Sequence, residues 1–144
     1  MAGLTVDEVF KGSLEKVFQG IKQYDKYPDY LPGVTQIKVL PAKKEGSTCQ
    51  VRYDLKLIKS FYYTLDMYEE SPNSIHWSLD ESNLFKVSNG RWDLSADGDD
   101  KTNAKYFVEV GFKGFVPGKV VDTLTKANLP LMMKGFQKMI NDHS

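Results

Sequence analysis

Cysteine, histidine and arginine are scarce in this chain of 144 residues. Cys49 is the only cysteine, so the chain cannot form an intramolecular disulfide or a cysteine cluster for zinc or iron–sulfur binding, which favours a reducing, cytoplasmic setting. The only histidines are His76 and His143, too few to supply the ligand set of a catalytic zinc site. We therefore predict no metal site and no cofactor.

An excess of one charge is also absent, as are long hydrophobic runs. The 19 lysines and arginines balance 19 acidic residues, and a zero net charge leaves no electrostatic footprint for a phosphate backbone, which argues against DNA as a partner. The first residues, MAGLTVDEVFKG, lack the apolar core of a signal peptide, and no run reaches the ~20 apolar residues of a transmembrane helix. We expect one cytoplasmic domain over residues 1–144, without a transmembrane segment.

Recognisable catalytic motifs are missing as well. The chain has no GxSxG elbow, and the glycines of GFKGFVPG have the wrong spacing for a dinucleotide-binding or phosphate-binding loop. Cys49 stands near the start of a strand and is expected to be an inert thiol. His76 alternates out of phase with Ile75 and Trp77, which places it on the surface. We predict no catalytic residue.

The first quarter of the chain predicts one strand and two short helices. Residues 3–11 form a plausible strand, and Ser13 is a suitable N-cap because its hydroxyl can accept from a backbone N–H of the first turn. The helix that follows ends near Tyr24. Its apolar face consists of Leu14, Val17, Phe18 and Ile21. In the next segment, YDKYPDYLPGV, Pro28 and Pro32 prevent this helix from continuing, which predicts a second, short helical turn.

From residue 35 onward the chain alternates apolar and polar residues with the period that antiparallel strands require. The predicted strands cover residues 35–42, 50–57, 61–68, 75–79, 85–95 and 106–112. Gly90 interrupts one of them, where we expect a β-bulge that redirects the following side chains. Residues 119–142 have helical apolar spacing, and Pro130 is expected to kink this long helix because it removes an interior hydrogen bond.

This order predicts an α+β fold in which a curved antiparallel sheet of about seven strands wraps around a long C-terminal helix, with two short helices after the first strand. Each strand has one apolar face and one mixed face, so the sheet needs a cover, which the C-terminal helix supplies. A helix cannot lie flat along a strongly curved sheet. We therefore expect an internal cavity between them.

The order of elements and three segments, YPDYLPGV, NGRWDL and VPGKVVDTLTKANLPLMMKGFQ, resemble the START-like superfamily. The most similar branch is the polyketide cyclase/dehydrase-like group, which also contains coenzyme-Q-binding and ribosome-association-toxin-like proteins. This resemblance implies a helix-grip fold with a hydrophobic cavity for a lipid, quinone, polyketide or similar ligand.

The resemblance also implies which residues face the ligand. The strands would contribute Tyr53, Leu55, Leu57, Tyr63, Leu65, Trp77, Leu79, Trp92, Val108 and Val110. The C-terminal helix would contribute Val120, Leu124, Ala127, Asn128 and Leu131. Tyr27, Tyr30, Leu31 and Val34 would stand at the mouth.

Two features leave alternatives open. Cyclase relatives often hold polyketide oxygens with a cavity arginine; Arg91 is a candidate because a bulge at Gly90 could turn it either way, although a surface salt bridge is favoured. Tyr27 and Tyr30 either line the rim of the cavity or plug the end of the core. Tyrosines suit an amphiphilic cavity because they combine apolar rings with directional hydroxyls.

The resulting functional hypotheses belong to different classes. The first is binding or transport of a small hydrophobic ligand without catalysis, because the predicted interior contains no recognisable acid, base or metal set. The second is a ribosome-associated protein-interaction module, and the third is a polyketide aromatase/cyclase. Both follow from the resemblance alone.

Overall fold

The structure, a computed structural model, describes residues 2–56, 59–123 and 128–142. The strands are β1 (Ala2–Lys11), β2 (Val34–Leu40), β3 (Cys49–Lys56), β4 (Ser60–Glu70), β5 (Ser74–Ser82), β6 (Phe85–Ala96) and β7 (Lys101–Phe112). The α-helices are α1 (Leu14–Ile21), α2 (Tyr27–Tyr30), α3 (Gly118–Asp122) and α4 (Leu129–Asp142), and a 3₁₀ turn covers Tyr24–Lys26.

The described strands form a seven-stranded sheet in the order β1-β7-β6-β5-β4-β3-β2. Every neighbouring pair is antiparallel. Together with the short helices after β1 and the C-terminal helix, this sheet has the predicted α+β helix-grip architecture. The alternation along each strand directs one set of side chains toward the helices and the other set outward.

The bulge predicted at Gly90 is wrong. The register of β6 against β7 is continuous from Ser88 to Ala96 and shifts instead between Phe85 and Val87. Gly90 faces Trp77 on β5, and a Cβ atom there would overlap the indole ring and lie 2.7 Å from the carbonyl oxygen of Phe107. Glycine is therefore needed at this position because a tryptophan ring lies against its backbone.

The start of the chain folds as its local pattern predicts. The Ser13 hydroxyl accepts a hydrogen bond of 3.3 Å from the backbone N–H of Lys16 at the first turn of α1. The buried face of α1 packs on α4, where Gly20 allows close approach of Ile140: a Cβ at Gly20 would lie 2.7 Å from its Cγ1. These contacts fix α4 across the sheet.

The C-terminal helical region differs from the single kinked helix predicted over residues 119–142. Asn128 lies in a turn, and Pro130 is the second residue of α4. A missing N–H costs nothing there because the first N–H groups of a helix have no intrahelical partner. Leu131, predicted to face inward, is 56% exposed.

The main hydrophobic core lies between α1, α4 and the sheet. Its aromatic centre is Trp92, which contacts Phe10 at a ring distance of 5.9 Å and Phe136 at 5.2 Å. A second cluster, formed by Leu55, Phe61, Leu84, Phe85, Val110 and Val120, lies at the end of the sheet where β6 begins. Within the described ranges, no helix is long and apolar enough to cross a membrane.

Candidate ligand-binding cavity

A cavity of about 160 Å³ lies between the sheet and the helices. Most of the predicted strand residues line it: Tyr53, Leu55, Tyr63, Leu65, Trp77, Trp92, Val108 and Val110. Tyr27, Leu31, Val34 and Asn128 also line it. These residues come from six strands, from α2 and its following turn, and from the turn before α4, so they meet only in the folded chain.

Several other predicted residues do not lie at the cavity. Val120 is buried in the second cluster, where it packs with Leu55 and Phe85, and Leu79 is outside the cavity wall. Arg91 is exposed and forms a salt bridge of 2.8 Å with Asp93. Its position follows from the continuous register of β6: Gly90 and Trp92 face inward, so Arg91 faces outward. The predicted cavity residues Leu57, Leu124 and Ala127 lie outside the described residues.

The three tyrosines of the YDKYPDYLPGV segment separate into two groups. Tyr24 and Tyr27 are buried at the cavity wall with an edge-to-face ring distance of 5.7 Å. Tyr30 lies away from the cavity, and its hydroxyl donates to the Asp142 carboxylate at 2.7 Å. This hydrogen bond raises the pKa of Tyr30. Of the two predicted rim tyrosines, only Tyr27 is therefore a wall residue.

The sequence prediction missed several lining residues. They are Ile21, Tyr24, Pro32, Met67, Ile75, Phe85, Ser88, Tyr106, Thr123, Met132 and Phe136. Strand periodicity could have identified some of them, because Tyr106 is in phase with Val108 and Met67 is in phase with Leu65. Residues from the helices and turns carry no such signal, because their position depends on how the elements pack.

Aromatic rings form a continuous part of the cavity wall. Tyr53 and Tyr63 are cross-strand partners on β3 and β4, and their rings stack at 4.5 Å with an interplanar angle of 14°. Tyr27 contacts Tyr53 at 6.1 Å. On the opposite part of the wall, Tyr106 lies 4.8 Å from Trp92. These rings give this part of the wall a large apolar surface.

The hydroxyl groups of these tyrosines fall into two sets. Tyr24 donates to the Glu69 carboxylate at 2.8 Å, and Tyr27 donates to the Ile21 carbonyl at 2.6 Å, so both are used within the fold. In the described part of the chain, the hydroxyls of Tyr53, Tyr63 and Tyr106 make no hydrogen bond. These three groups are available to a ligand.

The cavity tyrosines remain neutral at physiological pH. Burial raises the pKa of Tyr63 and Tyr106, and it raises the pKa of Tyr53 with a further contribution from its tyrosine neighbours. No described lining residue carries a formal charge. The site therefore offers hydrogen bonds from neutral phenols in apolar surroundings, and these phenols are weak acids that do not readily give up their protons.

Other reactive groups stand apart from the cavity. Burial raises the pKa of the Cys49 thiol to about 11, so the sulfur is a protonated, weak nucleophile at neutral pH, as predicted. His76 is half-buried on the outer face, where it stacks on Tyr68 at 4.7 Å. Among the described residues, no group of His, Cys, Asp and Glu side chains is arranged to hold a metal ion.

A curved antiparallel sheet closed by a C-terminal helix over an internal apolar cavity defines a START-like, helix-grip protein. A family model described as polyketide cyclase/dehydrase and lipid transport matches residues 11–137, and the chain belongs to this family. A comparison with curated proteins found no match.

Solved structures with the same fold are distant in sequence. A START superfamily protein from Mycobacterium smegmatis superposes with a TM-score of 0.82 at 20% identity, covering 99% of both chains. The Zhui aromatase/cyclase from a Streptomyces species superposes with a TM-score of 0.75 at 10% identity, covering 96% of this chain and 90% of that one. Human STARD10 superposes with a TM-score of 0.74 at 12% identity, covering 98% of this chain and 64% of the STARD10 chain. These similarities show the fold.

Proposed function

We propose that this protein binds and carries a small, uncharged hydrophobic molecule of a lipid, quinone or polyketide-like kind in the cavity between the sheet and the C-terminal helices. The observation that carries this proposal is the composition of the wall: apolar side chains and neutral tyrosines, without a formal charge among the described lining residues. Residues 1–144 would act as one ligand-binding unit.

The wall chemistry limits the polar part of the ligand. A buried carboxylate or phosphate needs a positive partner, and its transfer into apolar surroundings is otherwise strongly unfavourable. A carbonyl, ether or hydroxyl oxygen can instead accept from Tyr53, Tyr63 or Tyr106, with about 0.5–1.5 kcal/mol gained for each hydrogen bond. The ligand should therefore present neutral oxygen atoms.

The volume limits how much of the ligand is enclosed. The cavity of about 160 Å³ is similar in size to engineered apolar cavities of about 150 Å³ that admit a single benzene. We expect one ring or a short chain segment to lie between the stacked tyrosines and Trp92, while the remainder of a longer ligand extends toward Pro32, Thr123 and Asn128, which also line the cavity.

The only two tryptophans, Trp77 and Trp92, both line the cavity, so intrinsic fluorescence is a direct binding assay. Titration with a short-chain quinone should give saturable quenching, and a fatty acid of similar length should bind at least about tenfold more weakly because its carboxylate has no partner. Equal affinity for the acid would contradict the proposed ligand chemistry.

A matched pair of variants tests the tyrosine hydroxyls. Tyr63→Phe removes a hydroxyl at the cavity, whereas Tyr62→Phe removes one beside it on the outer face of β4, where Arg52 covers the ring at 4.5 Å. We expect quinone affinity to fall about two- to tenfold in the first variant and to remain unchanged in the second. An equal effect in both would exclude a role for the Tyr63 hydroxyl.

A second candidate is a polyketide aromatase/cyclase. The three available hydroxyls could hold carbonyl oxygens of a poly-β-ketone, and positioning alone can accelerate a reaction strongly. The outward position of Arg91 and the raised pKa of the cavity tyrosines argue against it. Adding the protein to a reconstituted polyketide synthase tests it: an unchanged product distribution would exclude this activity.

The ribosome-associated role remains a prediction from the family resemblance. Its test is co-sedimentation with ribosomes at physiological salt. Protein that stays free throughout the gradient would exclude it.

A further inference from the structure

Lysines gather at one end of the sheet, where β3 and β7 end and β4 and β6 begin. We call this the basic end; its exposed lysines are Lys56, Lys59, Lys86, Lys113 and Lys119. In the described part of the chain, none of them forms a salt bridge with a carboxylate. The acidic residues at the same end are Asp54, Glu81, Glu109 and Asp122, and Asp54 pairs with Arg52, so the five lysines leave this surface net positive.

An exposed aromatic side chain, Phe115, lies among the lysines of the basic end. Phe115, in the connection between β7 and α3, is 92% exposed, whereas the adjacent Val116 packs on the second hydrophobic cluster. The backbone N–H of Lys113 donates to the Leu84 carbonyl at 2.9 Å, which holds the start of this connection against the β5–β6 turn. The connection is therefore anchored at its base while its phenylalanine faces solvent.

A second exposed apolar residue lies on the same side. Leu131, in the first turn of α4, is 56% exposed. The later part of α4 reaches the opposite end of the sheet, where Gln137 exchanges hydrogen bonds with the backbone of Lys11. The first turn of α4 therefore points toward the basic end.

The opposite end has no such excess of positive charge, because Lys11, Lys16 and Lys101 stand there beside Asp99 and Asp100. Its β6–β7 turn carries Asp97, Asp99 and Asp100. A negatively charged surface would consequently attract the basic end and repel the acidic turn, which orients the molecule as it approaches. Exposed phenylalanine among lysines is the combination that binds the headgroup region of an anionic bilayer.

The basic end is also close to the cavity. Leu55, Phe85 and Val110 belong to the cluster beneath it and line the cavity as well. We propose that the basic end docks on an anionic membrane surface, with Phe115 inserted among the headgroups and the lysines facing the lipid phosphates. This surface places the cavity next to the bilayer, and its binding does not depend on the identity of the cavity ligand.

Vesicle co-sedimentation tests this surface. The full chain should bind vesicles of phosphatidylglycerol mixed with phosphatidylcholine and should not bind pure phosphatidylcholine, and added salt should release it because exposed charges are screened. Phe115→Ser should weaken binding about tenfold through loss of apolar contact. The double variant Lys86→Glu/Lys119→Glu should weaken it by at least about thirtyfold.

Matched controls stand on the opposite half of the molecule. Val39→Ser changes a 51% exposed valine on β2, and Lys16→Glu/Lys101→Glu makes the same charge change away from the basic end; both should bind like the unaltered protein. Equal loss in these controls, or equal binding to neutral and anionic vesicles, would overturn the proposal.

The same variants also test whether a second copy of this chain, rather than a membrane, binds the basic end. If size-exclusion chromatography shows a dimer that Phe115→Ser dissociates, and vesicles are not bound, the basic end is a self-association surface and membrane docking is refuted. Circular dichroism of each variant separates loss of binding from loss of folding.

Discussion

Val108→Phe tests the cavity because it adds a side chain where the structure has space. Val108 lies on β7 between Leu4 on β1 and Gly90 on β6, and its side chain lines the cavity. Phenylalanine is larger than valine by about 50 Å³, and filling a void gains about 24 cal/mol per Å³, so the ligand-free protein should gain about 1 kcal/mol of unfolding free energy. The same ring should block ligand uptake.

Val51→Phe provides the matched control. Val51 is fully buried on β3 and does not line the cavity. An added ring there must displace packed neighbours, which costs about 1–3 kcal/mol. Urea denaturation measures both variants, with an unchanged slope required for comparison of their unfolding free energies.

The two variants should therefore shift stability in opposite directions. A binding cavity often lowers the stability of the ligand-free protein, because the space that receives the ligand is left unfilled by side chains. If Val108→Phe loses as much stability as Val51→Phe, the space beside Val108 is not a cavity in solution, and the proposed site is refuted.

Three further predictions concern stability. Gly90→Ala should lower the unfolding free energy by about 2 kcal/mol in chemical denaturation, because its Cβ overlaps the Trp77 ring; a loss below about 0.5 kcal/mol would contradict this packing. Ser13→Ala should cost about 0.5–2 kcal/mol by removing the N-cap of α1, and unchanged stability would show that the cap contributes nothing. The pKa values of Tyr53 and Tyr106 are raised in the folded protein, so it holds these protons more tightly than the unfolded chain does. The stabilisation is thus complete below the unfolded tyrosine pKa of about 10 and is lost as the pH rises above it, so Tm should fall there; a constant Tm would contradict buried phenols.

Local patterns were sufficient to predict most of the architecture. The alternation in β3 and β4 identified which side chains face the helices, because a strand has a fixed period of two. Ser13 marked the start of α1 because its hydroxyl satisfies a free backbone N–H. The cavity followed from the combination of a curved sheet and a covering helix.

The errors concern features that depend on distant residues. Gly90 indicated a bulge from its own strand, but its role is to accept the ring of Trp77 from β5. Because β6 has no bulge at Gly90, its side chains continue to alternate between the two faces of the sheet, and Arg91 faces solvent. No local signal reports a tryptophan on a neighbouring strand.

The tyrosine spacing was also ambiguous for a geometric reason. Residues three apart eclipse in the 3₁₀ turn that begins at Tyr24, whereas in the α-helix from Tyr27 to Tyr30 they differ by about 60° in direction. Tyr24 and Tyr27 consequently reach the cavity wall, whereas Tyr30 reaches Asp142 on α4. A spacing of three predicts that the tyrosines are neighbours along the chain. It does not decide whether all three lie in the same environment.

Native mass spectrometry of freshly purified protein tests the ligand-binding proposal most directly. The unaltered chain should carry, or take up saturably, an uncharged apolar molecule that is released on denaturation, and Val108→Phe should be empty. An unaltered protein that stays empty against a panel of lipids, quinones and polyketides would contradict the account.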